Sequence, residues 1–112
     1  MKDVSLITYT VADIGKAKAF FGELIGADPY ADSPQYVGYK CGNMEIGLVP
    51  RPGESVSIAY WTVDDIEASV KALVAAGGTV VQNITDVAYG LLVASIKDPN
   101  GSLVGLRQFP KG

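Results

Sequence analysis

Asp98-Pro99-Asn100-Gly101-Ser102-Leu103-Val104-Gly105-Leu106 is the stretch around which the chain is organised. Its first four residues read as a tight turn, because proline presets one backbone angle and glycine tolerates the left-handed one. The apolar residues that follow read as a strand. Met44 to Leu48 reads as an earlier copy of it. Ile46-Gly47-Leu48 and Val104-Gly105-Leu106 share an apolar-glycine-apolar signature, and each follows a turn that pairs glycine with asparagine, Gly42-Asn43 and Asn100-Gly101.

The copying extends back along the chain. Val11-x-Asp13-Ile14 and Val63-x-Asp65-Ile66 stand at one offset, which Gly26 and Gly78, and again Gly38 and Gly90, repeat. The twin terminal strands match at a larger offset. The second copy therefore carries an insertion of a few residues before its last hairpin turn, and internal duplication is the simplest account.

Composition bounds the rest. The chain has 112 residues, 48% of them apolar, which suits one domain over 1–112 with a core of its own. A net charge of −3 with scattered Lys and Arg argues against a nucleic-acid partner. Met1-Lys2-Asp3-Val4 opens no apolar leader, and no segment nears the roughly 20 apolar residues that span a bilayer. The expectation is a cytoplasmic protein without a membrane partner. A single cysteine, Cys41, fits a reducing compartment. The chain contains no histidine, which excludes the Ser-His-Asp triad, the imidazole zinc site and the iron facial triad together. It also leaves Cys41 without the usual partner that would activate it as a nucleophile. Chemistry here must use carboxylates, tyrosines, lysines or a cofactor.

Val4 to Val11 has the strand pattern. Asp13 then stands at an N-cap position, and Ile14, Ala17, Phe20, Phe21 and Leu24 recur at helical spacing as far as Gly26, the expected C-terminal stop. Gln35–Cys41 and Asn43–Val49 form a predicted hairpin, and Pro50 to Glu54 a linker. In the second copy Val56–Val63 is the strand, Asp64 or Asp65 the cap, and Ile66, Val70, Leu73 and Val74 the helix stripe running to Gly77-Gly78. The order strand, helix, three strands, taken twice, predicts an α+β fold. It has two tandem βαβββ modules, about residues 1–50 and 55–112, forming curved mixed sheets around a cleft with the helices on the outer face.

This arrangement resembles the vicinal oxygen chelate superfamily, which includes glyoxalase I, extradiol dioxygenases, methylmalonyl-CoA epimerase and the bleomycin resistance proteins. The resemblance covers nearly the whole chain. Val11-Ala12-Asp13-Ile14, Phe20-Phe21 and Leu24-Ile25-Gly26 carry it in the first copy, and Val63-Asp64-Asp65-Ile66 and Ala76-Gly77-Gly78 in the second. The stretch Asp98 to Leu106 is similar to the family's Asp-Pro-Asp-Gly-x-x-x-Glu-Leu ending. Metal-dependent members draw a ligand from the first and last strand of each module, and those positions fall on Leu6, Gly47, Ile58 and Gly105. None of these can coordinate a metal. The resemblance thus implies the scaffold without its metal, and no other cofactor is assigned. It also implies a homodimer, since the family builds its clefts from paired modules.

If the four ligand positions face the cleft, strand parity places Leu6, Thr8, Glu45, Gly47, Val49, Ile58, Tyr60, Thr62, Leu103, Gly105 and Arg107 there. Tyr9, Val11, Ile46, Leu48, Trp61, Val63, Val104 and Leu106 take the opposite, helix-packed face. The two glycines would open room for a ligand ring, or would only relieve sheet twist. Glu45 and Arg107 could meet ligand charges, or be only a strand-end ion pair or solvated side chains. Tyr60 could stack on a ligand or only pack, and at most one of Tyr36 and Tyr39 reaches the cleft. Three functions compete. The first is metal-independent binding of a small planar or aromatic molecule, as in drug sequestration of the bleomycin-resistance type, with Leu6, Thr8, Glu45, Gly47, Val49, Ile58, Tyr60, Gly105 and Arg107 as binding residues. The second is a metal-independent isomerase or lyase using Glu45 or Tyr60 as acid or base. The third, a metal-dependent lyase or dioxygenase, is disfavoured by the four ligand positions.

Overall fold

The computed structural model describes residues 2–111. Its elements run β1 (Asp3–Val11), α1 (Ile14–Ile25), β2 (Ala31–Ser33), β3 (Tyr36–Cys41), β4 (Met44–Pro50), β5 (Ser57–Thr62), α2 (Ile66–Ala75), β6 (Thr79–Ala88), β7 (Leu91–Lys97) and β8 (Leu103–Gln108). This is α+β, with the unit βαβββ occurring twice. Two compact units result, one of Ser5–Ile58 and the other of the chain from Ala59 onward with the few residues before Ser5.

In the first unit the strands lie in the order β2-β3-β4-β1. β1 pairs parallel with β4, and β3 pairs antiparallel with both β2 and β4, so the sheet is mixed. Asp13 caps α1 by accepting from the Lys16 N–H at 3.0 Å, and Gly26 ends it at φ 76°, a left-handed angle that favours glycine. Val37, Tyr39 and Leu48 form the buried core, with Tyr9, Val11, Ile14, Ala17, Phe21, Ile25 and Ile46 packed around it. The inward stripe of α1 is thus Ile14, Ala17, Phe21 and Ile25. Phe20 and Leu24, expected on that face, are 65% and 69% exposed, because the stripe drifts round the helix at 3.6 residues per turn and Ile25 takes the place assigned to Leu24. Cys41 also packs against this core.

The second unit repeats the plan in the order β5-β8-β7-β6, with β5 parallel to β8 and the other pairs antiparallel. Of the two cap candidates it is Asp65 that serves, accepting from the Ala68 N–H at 3.1 Å, while Gln108 Oε1 accepts from the Ile66 N–H at 2.8 Å. Val63, Ile66, Ala94, Ile96 and Leu106 make its core, joined by Val70, Ile84 and Leu92. Leu73 and Val74 stay out of it, 37% and 45% exposed. The Asp98 turn forms as expected: Asp98 Oδ1 accepts from the Asn100 and Ser102 N–H groups at 2.9 and 2.8 Å.

Register corrects one landmark of the duplication. Gly47 of β4 lies opposite Gly38 of β3, whereas its twin Gly105 of β8 lies opposite Ser95 of β7. Gly90 is a hairpin-turn residue at φ 90° and has no structural kinship with Gly38. The inserted residues therefore lengthen the β6–β7 hairpin, whose register shifts at three places along β6 absorb them. Among the described residues no helix is long and apolar enough to cross a membrane.

Candidate functional site

Each sheet has one face under its helix and one helix-free face, and the pairing registers settle which residues stand on the latter; Leu6, Thr8, Thr10, Ser95 and Arg107 among them are buried. In the first unit Leu6 is opposite Glu45, Thr8 opposite Gly47 and Thr10 opposite Val49. Across the other edge of β4, Glu45 meets Lys40 and Gly47 meets Gly38. Leu6, Thr8, Glu45, Gly47 and Val49 therefore share a face as predicted, and Ile46 and Leu48 turn to the helix. In the second unit Tyr60, Gly105 and Ser95 form one row, and Thr62, Arg107 and Val93 the next. Ile58, two residues before Tyr60 on the same strand, has the same parity.

The glycines have a specific occupant. A Cβ built at Gly47 would lie 2.8 Å from Cζ and 2.9 Å from Cε1 of Tyr36, and one at Gly38 2.7 Å from Cζ of Tyr30. At Gly105 it would lie 2.7 Å from both Cε2 and Cγ of Tyr60. The expectation that these glycines open space for a ligand ring is therefore corrected, because the protein's own tyrosines already fill the notches. A strand glycine with an aromatic ring laid on its backbone regains the contacts it lacks as a side chain.

Around Gly38 and Gly47 the rings build a polar cluster. Tyr30 Oη donates to Glu45 Oε1 at 2.6 Å, and the Lys40 ammonium stands 5.4 Å from the centroid of the Tyr30 ring. Burial, then the hydrogen bond to Glu45 and the nearby Tyr36, push the Tyr30 phenol well above its ordinary pKa, so it acts as a donor and not as a base. Tyr36 is thus the tyrosine of its strand that reaches the helix-free face. Tyr39 is fully buried on the other side, where its hydroxyl donates to the Lys18 carbonyl at 3.1 Å. Tyr30 was missed by sequence reasoning, since it precedes a three-residue strand with no periodicity. The signal that could have found it is the pair of strand glycines, each of which requires a ring from somewhere.

Arg107 is 5% exposed, so it is no solvated strand-end charge; its guanidinium lies 4.8 Å from the centroid of the Phe109 ring. Trp61 has the helix-side parity, in register with Leu106. A hollow of about 520 Å³ lies elsewhere, along α1 between Gly15, Gly22, Pro29 and Tyr39, and includes none of the predicted binding residues.

A divalent metal does not fit these residues. The four implied ligand positions carry two aliphatic side chains and two glycines lying under tyrosine rings, and none offers a donor atom. Among the described residues no three His, Cys, Asp or Glu side chains cluster as a metal site. Zinc or iron sites draw three or four protein ligands.

No curated protein sequence matches the chain. Several solved structures share its fold. A hypothetical protein from Bacillus halodurans superposes with a TM-score of 0.81 at 16% identity, over 99% of this chain and 96% of the other. Methylmalonyl-CoA epimerase from Mycobacterium tuberculosis gives 0.72 at 15%, over 96% and 88%. The Mn(II)-bound glyoxalase from Novosphingobium aromaticivorans gives 0.72 at 18%, over 96% of this chain and 40% of that larger one. The sequence itself settles the kinship: the model of the Glyoxalase/Bleomycin resistance protein/Dioxygenase superfamily matches residues 4–106, and the chain belongs to that superfamily.

Proposed function

We propose that the protein binds a small planar organic molecule without a metal, on the tyrosine-bearing, helix-free faces of its sheets. The observation that carries this reading is the seating of Tyr36 on Gly47 and Tyr60 on Gly105, at positions where metal-binding relatives would place ligands. Offset or edge-on aromatic contact contributes about 0.5–1.5 kcal/mol beyond the area it buries. Thr8, Glu45 and the Tyr30 phenol supply the few polar groups that orient such a ligand in the first unit; Thr62 and Arg107 do so in the second. Sequestration of the bleomycin-resistance type needs no more than this, and the lone thiol of Cys41 is in keeping with action in the reducing cytoplasm.

A thermal-shift screen of planar aromatic compounds tests the reading. The expected result is at least one saturable stabiliser whose shift shrinks in Tyr36→Leu or Tyr60→Leu. A screen in which no aromatic compound stabilises the protein overturns it. The proposal takes the working form to be a homodimer, and a monomer in sedimentation velocity counts against that part.

One observation favours a second reading. Glu45 is held by the Tyr30 phenol, as an orienting donor holds a carboxylate base, and methylmalonyl-CoA epimerase is among the similar folds. A metal-independent isomerase or lyase would use Glu45 or Tyr60 to move the proton. For any turnover found, Glu45→Gln or Tyr60→Phe should lower kcat at least a hundredfold, and full activity in both variants removes this reading.

A further inference from the structure

Trp61 is the chain's single tryptophan and has no part in the tyrosine faces. Its side chain, on the helix side of β5, is 38% exposed. There it borders a hollow of about 340 Å³ with Leu73, Val104, Leu106 and Lys2. β5 and β8 supply Trp61, Val104 and Leu106, and α2 contributes Leu73, which does not join the core. The hollow is thus walled by apolar side chains at the margin of a packed core. Lys2 is the one charged residue among those lining it.

We infer that this hollow is a second binding site, and that it takes a small amphipathic carboxylate, with an aryl or short alkyl group against Trp61 and Leu73 and the carboxylate at the Lys2 ammonium. Size supports this, since the space equals about eleven waters at roughly 30 Å³ each, at the small end of known ligand pockets. Charge sets the polarity of the ligand. The neighbouring hollow beyond Lys2 is lined by Asp64 and Asp65, but it lacks the indole and leucine walls, and the Asp65 carboxylate is engaged at the α2 N-terminus. A cation would be drawn to that polar side, whereas an apolar anion finds both its partners at Trp61 and Lys2.

Because Trp61 is unique, its emission reports this hollow separately from the tyrosine faces. Phenylacetate and its neutral isostere phenylacetamide would be titrated against the intact protein with selective tryptophan excitation. We expect saturable changes in Trp61 emission with the acid binding about three- to fivefold tighter than the amide, the range of an exposed ion pair. Lys2→Gln should erase that difference, and Leu73→Gln should weaken both probes by about tenfold. Unchanged emission at millimolar probe, equal affinity for acid and amide, or a difference that survives Lys2→Gln would each overturn the assignment. None of these outcomes bears on the tyrosine faces, which the thermal-shift screen tests.

Discussion

At Gly105 an added Cβ meets Cγ and Cδ2 of Tyr60, atoms at the root of the ring that cannot swing clear without moving the strand. Gly105→Ala should therefore cost about 1–3 kcal/mol, the range for overpacking, measured as a lower urea midpoint. Gly47 differs. The atoms met there belong to the far end of Tyr36, which can rotate away, and replacing a strand glycine by alanine recovers about 0.5–1 kcal/mol of backbone entropy. Gly47→Ala should change stability by less than about 1 kcal/mol, and equal losses at the two sites would contradict this distinction. Tyr30 carries a pH prediction. Its native pKa is raised by burial first and by the Glu45 hydrogen bond second, so its contribution is full below the unfolded value of about 10 and is lost as pH rises through the native one. Tyr39, raised by burial, acts in the same direction. Stability should fall above about pH 10, and Tyr30→Phe should flatten that fall. An alkaline urea series in which the variant and the parent lose stability in parallel would exclude Tyr30 as a cause.

The two helices begin in the same way and are supported differently. Asp13 caps α1 through one N–H, while at α2 Asp65 and Gln108 satisfy two separate N–H groups. Asp13→Ala should cost about 1 kcal/mol. Asp65→Ala should cost a similar amount, and the pair Asp65→Ala with Gln108→Ala more than either alone, each read from chemical denaturation. Helix position, the C-terminal stop at Gly26 and the β3–β4 hairpin were all legible, because each depends on residues within one turn of one another. Which side of α1 faces the sheet was only half legible. Phe20 and Phe21 are neighbours in sequence, yet about 100° of rotation separates them on the helix, and only docking decides that Phe21 enters the core while Phe20 stays outside.

At the scale of the molecule, both halves keep the superfamily's βαβββ plan, and Leu6, Gly47, Ile58 and Gly105, the positions that the resemblance implies for metal ligands, offer no side-chain donor. Adding Zn²⁺, Ni²⁺ or Mn²⁺, or removing metals with a chelator, should leave Tm unchanged, since a ligand that does not bind the native state cannot stabilise it. A rise in Tm with stoichiometric bound metal in untagged protein would contradict the donor count. By itself the sequence determined the repeated βαβββ order, the caps and the superfamily, because strand parity, helix periodicity and turn chemistry are local properties that survive duplication. It also determined that Leu6, Gly47, Ile58 and Gly105 carry no side-chain donor, which is a matter of residue identity alone. Only the tertiary structure decided what fills the glycine notches and where Gly38 belongs. Tyr36 and Tyr60 reach their glycines by strand pairing and Tyr30 by the backbone hydrogen bond of its N–H to the Gly38 carbonyl, and contacts across a register cannot be read from spacing along one chain.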